Sequence, residues 1–474
     1  MPFAKTGGLA DVAGALARQL ALLGHEVRAF VPFYGAIRVK LAEAHSELRA
    51  VPQVQSVPLD IGSGRYEFSL LELTSQAGLT VYFVDCPALF ARSSLYTVDA
   101  DEHRRFILFT RAVIESCQHL QYSPDVFHCN DWHTAFLPLY LKTVYAWDRL
   151  FARSRSVLTI HNIGYQGEFA AGLAGDLGLG FSANRLHQDD LRAGAINPLK
   201  HGILFADAVT TVSPTYAREI CSAPLAMGMQ HALAQLSRPV IGILNGVDYQ
   251  EWDPRTDPHL SSHFDLADLR GKTRNKRRLI AHSGLKFGDS VPLVSMVTRL
   301  AEQKGIDLLF ASLPPLLKKR LFGLVVLGAG EPRYVQFFEK LMADFPGQVV
   351  FHSGYDEPLA HLIEAGSDMF LMPSRYEPCG LNQMYSLRYG TVPIVRKTGG
   401  LADSVQHFDP VSGAGTGVVF EHYDAPAVSW AVNTALDWFA DPGSWRKLMR
   451  NAMAQDFSWG RQVLHYESLY RALL

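Results

Sequence analysis

Cysteine is scarce in this 474-residue chain. The five present, Cys86, Cys117, Cys129, Cys221 and Cys379, are odd in number, widely scattered and contain no CxxC pair. That excludes a disulfide framework and a cysteine-built zinc site, and it points to a reducing compartment. Long apolar runs are also missing. No stretch approaches the roughly 20 residues a membrane helix needs, and no signal peptide is visible, so a cytoplasmic chain without a membrane partner is expected. Charge of one sign is lacking too: 44 Lys and Arg balance 46 Asp and Glu, for a net −2. Such a balance argues against nucleic acid as a partner. The local basic clusters at 272–278 and 318–320 read as solvated helix faces or loops.

What is present is a hydrophobic fraction of 48%, ample for large cores. The length is compatible with about three domains or with two large ones. Short apolar runs alternate with longer helical patterns, the signature of parallel α/β sheets covered by helices on both faces. Strands are expected at 26–32, 66–73, 79–84, 125–128, 156–160 and 208–212. A second series follows at 291–297, 323–327, 348–352, 368–372, 392–395 and 417–420. Helices are expected at 9–23, 102–119 and 132–145, then at 305–312, 332–344, 358–365, 380–389, 425–439 and 458–474. The turn signal Leu244-Asn245-Gly246-Val247-Asp248 marks a boundary. The predicted organisation is a doubly wound domain over 1–246, a second over 247–456, and a helix over 457–474 that returns to the first.

The heptapeptide Lys-Thr-Gly-Gly-Leu-Ala-Asp occurs twice, at 5–11 and 397–403. Its repetition suggests two domains that each present a glycine-rich loop opening a helix. Two adjacent glycines allow close backbone approach, and a helix start offers free N–H groups to an anion. In doubly wound sheets ligands sit at the carboxyl ends of strands, so the residues just past each strand carry the argument. Past 368–372 comes Pro373-Ser374-Arg375-Tyr376-Glu377-Pro378-Cys379-Gly380-Leu381. Here the N–H groups of Gly380, Leu381 and Asn382 could seat a phosphate and Glu377 could accept hydrogen bonds from a polar substrate. Taken alone, Glu377 reads as a first-turn carboxylate favoured by the helix dipole. Arg299 and Lys304 follow 291–297, where two cations can neutralise a diphosphate. His161 and Asn162 follow 156–160, and a lone histidine there is by default structural. Asn130-Asp131-Trp132-His133 follows 125–128. Together with His128 and Cys129 it meets no ligand spacing, and no metal site is expected. Leu327-Gly328-Ala329-Gly330 is equally well explained by a tight strand–helix turn.

In order, the blocks Lys5-Thr-Gly-Gly-Leu-Ala-Asp, Asn130-Asp-Trp-His, His161-Asn-Ile-Gly-Tyr-Gln-Gly, Asp207-Ala-Val-Thr-Thr-Val-Ser-Pro-Thr-Tyr, Leu244-Asn-Gly-Val-Asp, Arg299-Leu-Ala-Glu-Gln-Lys-Gly and Arg375-Tyr-Glu-Pro-Cys-Gly-Leu resemble the bacterial glycogen synthase and plant starch synthase family. The resemblance spans essentially the whole chain. It implies the GT-B fold, two Rossmann-like domains facing a cleft, and a retaining transfer of glucose from ADP-glucose to the non-reducing end of an α-1,4-glucan. It implies Lys5 and Gly8 near the donor, Arg299 and Lys304 on the diphosphate, and Tyr355 near the adenine. Glu377 would meet the sugar hydroxyls, with Cys379, Gly380, Leu381 and Asn382 beside it. His161 would lie against the transferred glucose, its carbonyl near the anomeric carbon. Asp131, Asn162 and Asn245 would face the acceptor. No cofactor and no metal are implied, because cations and helix N-termini do the charge work. Domain closure before transfer is expected, to exclude water.

Three features depart from the family pattern. The chain opens inside the first glycine loop, without the hydrophobic strand that usually precedes it. The expectation is either a truncated start or an impaired first domain with exposed strand edges. Asn382 stands where threonine is common, and Gly228-Met229-Gln230-His231 where a Gly-Met-Glu-Gly type sequence is usual. Two other readings are a GT-B transferase using UDP-glucose or a smaller acceptor, and a catalytically impaired glucan-binding homologue.

Overall fold

The computed structural model describes residues 8–45, 47–74 and 78–474. The chain forms two compact units. Unit 1 runs to Val212 and takes in Ala217–Ile243 and Trp459–Leu474; unit 2 holds Ser213–Tyr216 and Leu244–Ser458. Lys5 and most of the first glycine loop lie outside the described residues.

Unit 1 contains strands β1 (Arg28–Pro32), β2 (Arg49–Ala50), β3 (Val57–Ile61), β4 (Gly64–Thr74), β5 (Thr80–Asp85), β6 (Val126–Asn130), β7 (Arg155–Ile160), β8 (Phe169–Ala170), β9 (Ala195–Ile196), β10 (Ala208–Thr211) and β11 (Ile241–Gly242). One sheet is ordered β1-β5-β4-β2 with β3 on β4, another β11-β10-β7-β6. The first is not all parallel. β1 and β5 are parallel, but β3, β4, β2 and β5 pair antiparallel. β3 escaped the sequence reading although it alternates buried and exposed residues over five positions and is followed by Gly62-Ser63-Gly64, a hairpin signal. Among the described residues β1 pairs only with β5 and β6 only with β7.

The helix expected at 132–145 is broken in two, a short 3₁₀ turn at Trp132–Thr134 and a helix at Leu137–Leu141. Pro138 sits in the first turn of the second piece, where its fixed φ and missing N–H start a helix at no cost. Helix Trp459–Leu473 packs on helix Gly8–Leu22. Val12, Ala15, Leu16 and Leu20 share one buried cluster with Trp459, Val463, Tyr466, Leu469 and Leu473.

Unit 2 contains β12 (Leu293–Val297), β13 (Gly323–Gly328), β14 (Val349–Ser353), β15 (Met369–Met372), β16 (Val392–Arg396) and β17 (Val418–Phe420). They form one parallel sheet ordered β14-β13-β12-β15-β16-β17. Its strands are apolar runs because helices cover both faces. Helix Ile306–Lys319 outlasts its expected end at 312 and continues through Pro314 and Pro315. Burial of Leu313, Leu316 and Leu317 in the unit's core, about 2 kcal/mol each, is of the size needed to offset two interior prolines at roughly 3 kcal/mol each.

The basic run at 272–278 is only in part a solvated face, with Arg274, Arg277 and Arg278 exposed. In helix Arg270–Ser283, Lys272 and Lys276 are buried. Lys272 Nζ donates to Tyr389 O at 2.9 Å and Thr391 Oγ1 at 2.7 Å, and Lys276 Nζ reaches Asp368 Oδ2 at 2.6 Å. Long aliphatic stems fill the interior while each ammonium finds acceptors.

Candidate active site

The predicted residues fall in both units, and each group takes its geometry from its own sheet. In unit 2 the strand order lines them along the carboxyl edge. Tyr355 follows β14, Arg299 and Lys304 follow β12, the segment 373–382 follows β15, and the second glycine loop follows β16. Arg299 and Tyr355 are exposed. Lys304 and Glu377, from neighbouring strands, meet at 2.6 Å between Nζ and Oε2. Glu377 is only 5% exposed, and Ser374 Oγ donates to the same oxygen at 3.0 Å. A carboxylate so buried is tolerable because it is paired and hydrogen-bonded. Asn382 Nδ2 donates to Val297 O at 2.6 Å, tying the start of helix Asn382–Arg388 to the end of β12.

The second glycine loop is close-packed against this segment. Gly399 has φ 45°, and a Cβ there would stand 1.9 Å from Glu377 O; one at Gly400 would stand 2.1 Å from Cys379 O. Gly400 N–H donates to Glu377 O at 3.0 Å. What the glycines admit here is the neighbouring backbone, and they thereby set the height of Glu377. The Asp of the same heptapeptide, Asp403, receives Thr215 N–H and Oγ1, each at 2.7 Å. Sequence reasoning gave this residue no part. Gly328 and Gly330 serve the same end, since a Cβ on either would meet the carbonyl of Thr298 or Leu300 at 2.1 Å. Asn245 belongs to unit 2 and lies against Cys379. Burial pushes the Cys379 thiol up, and the contact with Asn245 only partly offsets it. Cys379 is a packed thiol, unsuited to nucleophilic work.

In unit 1, β6 and β7 end side by side and bring Asp131 to His161. Asp131 is buried, and its Oδ1 accepts the His161 N–H at 2.7 Å and the Asn162 N–H at 3.4 Å. Its backbone stands at φ 53°, ψ −170°, a conformation nearly reserved for glycine that persists only where the surroundings impose it. Burial pushes the Asp131 carboxyl up to about 7 despite the two backbone donors. The His161 ring is held by Asn130 Oδ1 at 2.9 Å, and burial brings it down to about 3, with His128 adding to the effect. His161 is therefore neutral, and its main chain is pinned from below by Asp131. Asn162 Oδ1 receives Gly164 N–H at 3.0 Å. Gly167, at φ 71°, lies under Trp132, whose ring a Cβ would strike at 2.1 Å. Gln166 bonds Met227 O at 2.9 Å, which holds the divergent 228–231 turn to the 161–167 loop. His128 gives its two ring nitrogens to Tyr470 Oη and Thr159 Oγ1, each at 2.6 Å, so it anchors the last helix.

A glycogen synthase of Koribacter versatilis is 44% identical to this chain over 99% of the chain and 96% of its own length. The chain belongs to the glycogen and starch synthase family. It is a glucosyltransferase of the GT-B fold. Residues 1–235 match the family model of the starch synthase catalytic domain, and residues 280–452 that of glycosyl transferases group 1. A glycogen synthase of Streptococcus pneumoniae is 39% identical over 100% of this chain and 98% of its own. Among solved structures, the catalytic domain of starch synthase IV from Arabidopsis thaliana, bound to ADP and acarbose, superposes with a TM-score of 0.89. It is 36% identical and covers 100% of this chain and 97% of that one. Sucrose-phosphate synthase from Thermosynechococcus elongatus, at TM-score 0.59 and 18% identity over 98% and 94% of the two chains, shares the fold alone. No helix among the described residues is long and apolar enough to cross a membrane.

Proposed function

We propose that this family member takes ADP-glucose as donor and an α-1,4-glucan as acceptor, and adds glucose to the non-reducing end with retention. The observation that carries this reading is the Lys304–Glu377 pair, at the carboxyl ends of adjacent strands in a chain of this family. Cleavage of the donor moves negative charge onto ADP and leaves a positive sugar. An ammonium with further N–H donors beside its carboxylate partner suits the first, and Glu377 suits the hydroxyls of the second. Arg299 and the start of helix Asn382–Arg388 add positive potential on the same edge; Gly380 and Leu381 lead into that helix, and Tyr355 takes the adenine. Lys5 and Gly8 are assigned to the donor on the resemblance alone. In unit 1, Asp131 presents the 161–162 main chain, so that the His161 carbonyl faces the electron-poor anomeric carbon. Asn162, Asp131 and Asn245 serve the acceptor. No metal or cofactor has a part in the transfer, and the protein works in the cytoplasm.

Purified protein incubated with labelled ADP-glucose and glycogen should incorporate label. UDP-glucose should compete poorly. Preference for UDP-glucose would move the assignment to another GT-B transferase, and glycogen affinity without incorporation would favour a silent glucan-binding homologue.

A further inference from the structure

We propose that unit 2 carries a divalent-metal site, of the Zn²⁺ class, formed by Glu251, Glu357 and His361 and oriented by Asp257. One ligand atom from each of the three lies within 4.8 Å of the other two. Glu357 and His361 stand one turn apart on helix Glu357–Gly366, the spacing that puts two side chains on one face. Glu251 arrives from the segment after the 244–248 turn. Nothing in the spacing announces the site, because Glu251 and His361 are 361 − 251 = 110 positions apart.

The second, independent observation is the state of His361. Its side chain is fully buried. Nδ1 is bonded to Asp257 Oδ2 at 2.8 Å, while Nε2 has no hydrogen-bond partner. Asp257 is itself fixed by the Tyr389 hydroxyl at 2.5 Å and the His259 N–H at 2.8 Å. A carboxylate that accepts the Nδ1–H hydrogen bond leaves the buried Nε2 lone pair available to a ligand, which is how metal-binding histidines are oriented. The ring cannot turn away. Trp252 stacks on it at 3.7 Å and 13°. Trp252 in turn lies on Tyr385 at 3.9 Å and 1°, and it is the neighbour of Glu251. The stacked rings thus hold one ligand and deliver a second. Imidazole with two carboxylates suits Zn²⁺ and leaves a fourth position for water. The two negative charges neutralise the ion, and carboxylate rotation closes the remaining gaps to bonds of about 2.0–2.2 Å. The ion would tie the 251–257 strap to the helix and clamp Trp252, which supports the helix that starts at Asn382.

The test uses the whole protein, stripped with chelator and titrated with Zn²⁺ by calorimetry and with Co²⁺ by visible absorption. One equivalent per chain is expected, with Co²⁺ bands of low coordination number. Glu251→Gln and Glu357→Gln should each weaken binding at least tenfold, and Asp257→Asn by about 10–100-fold, the usual effect of losing an outer-shell partner. Should Asp257→Asn fail to fold, the two glutamate variants decide alone. Absence of saturable binding, or wild-type affinity in the Glu251→Gln/Glu357→Gln double variant, overturns the proposal.

Discussion

Lys304 and Glu377 show how much one pair can be asked to do. Removing either partner strands a charge that is largely shielded from water, so each single change costs more than the net worth of the bridge. Lys304→Ala and Glu377→Ala are each expected to reduce turnover about 100-fold. The double variant should be no worse than the poorer single one, with a coupling of about 1–3 kcal/mol in a cycle of urea unfolding midpoints. Strict additivity would mean the two act separately. The pair was half legible in the sequence. The strand ends announced both residues, but their contact depends on β12 lying beside β15, which a linear pattern does not contain. Asp131 was less legible still. Its position was marked, but its work on the His161 main chain requires β6 to lie beside β7. Its carboxyl holds the proton to about 7 when folded and releases it near 3.8 when unfolded. The stability this group contributes is complete below 3.8 and lost as pH rises through about 7. Asp131→Asn keeps an acceptor for the His161 N–H and removes the charge. The variant should gain on wild type between pH about 5 and about 8, read from urea midpoints.

At the scale of elements, the repeated heptapeptide is instructive. The sequence marked its glycines as points of close approach, and so they are in unit 2, although the approaching group is the Glu377–Cys379 backbone. Gly399→Ala should therefore displace Glu377 and cut turnover more than tenfold. Gly288→Ala, where a Cβ meets nothing within 4 Å, should leave the rate unchanged; equal rates in both would detach the loop from the site. The terminal helix was readable from its periodicity, and its partner helix Gly8–Leu22 likewise, but which face met which was not. Leu469→Ala, in that shared cluster, should cost about 3 kcal/mol of unfolding free energy. The elements that escaped include the short β8 and β9, whose pairing depends on residues 169–170 meeting 195–196, but also the regular β3 and the long helices Arg270–Ser283 and Pro442–Met453. The lysines of helix Arg270–Ser283 escaped for another reason. A charge run says nothing about whether acceptors such as Tyr389 O and Thr391 Oγ1 will fold around it.

For the molecule as a whole, acid bears on unit 1 through its buried histidines. Unit 1 holds His128, His133 and His161, which burial lowers to about 4, about 3 and about 3 from an ordinary 6.5. A histidine kept neutral by folding contributes stability that is complete above 6.5 and lost as pH falls through its folded value. Each can tilt the balance by about 1.4 kcal/mol per pH unit over that window. These three, with His201 lowered in the same direction by burial, oppose Asp131, so unit 1 should lose stability on acidification. Scanning calorimetry at pH about 7 and about 4.5, with His128→Gln as comparison, should show the variant losing less on acidification.

The packing of Trp459–Leu473 on Gly8–Leu22 has a consequence for assembly. His25 meets Glu467 at a separation of 442 residues, so the two sides of this wall are separated in sequence by all of unit 2. During synthesis the nascent first lobe must wait with an apolar flank uncovered while several hundred residues are still to be made. Its completion is a late, long-range closure, and the interval before it is when a chaperone or a premature stop would matter most.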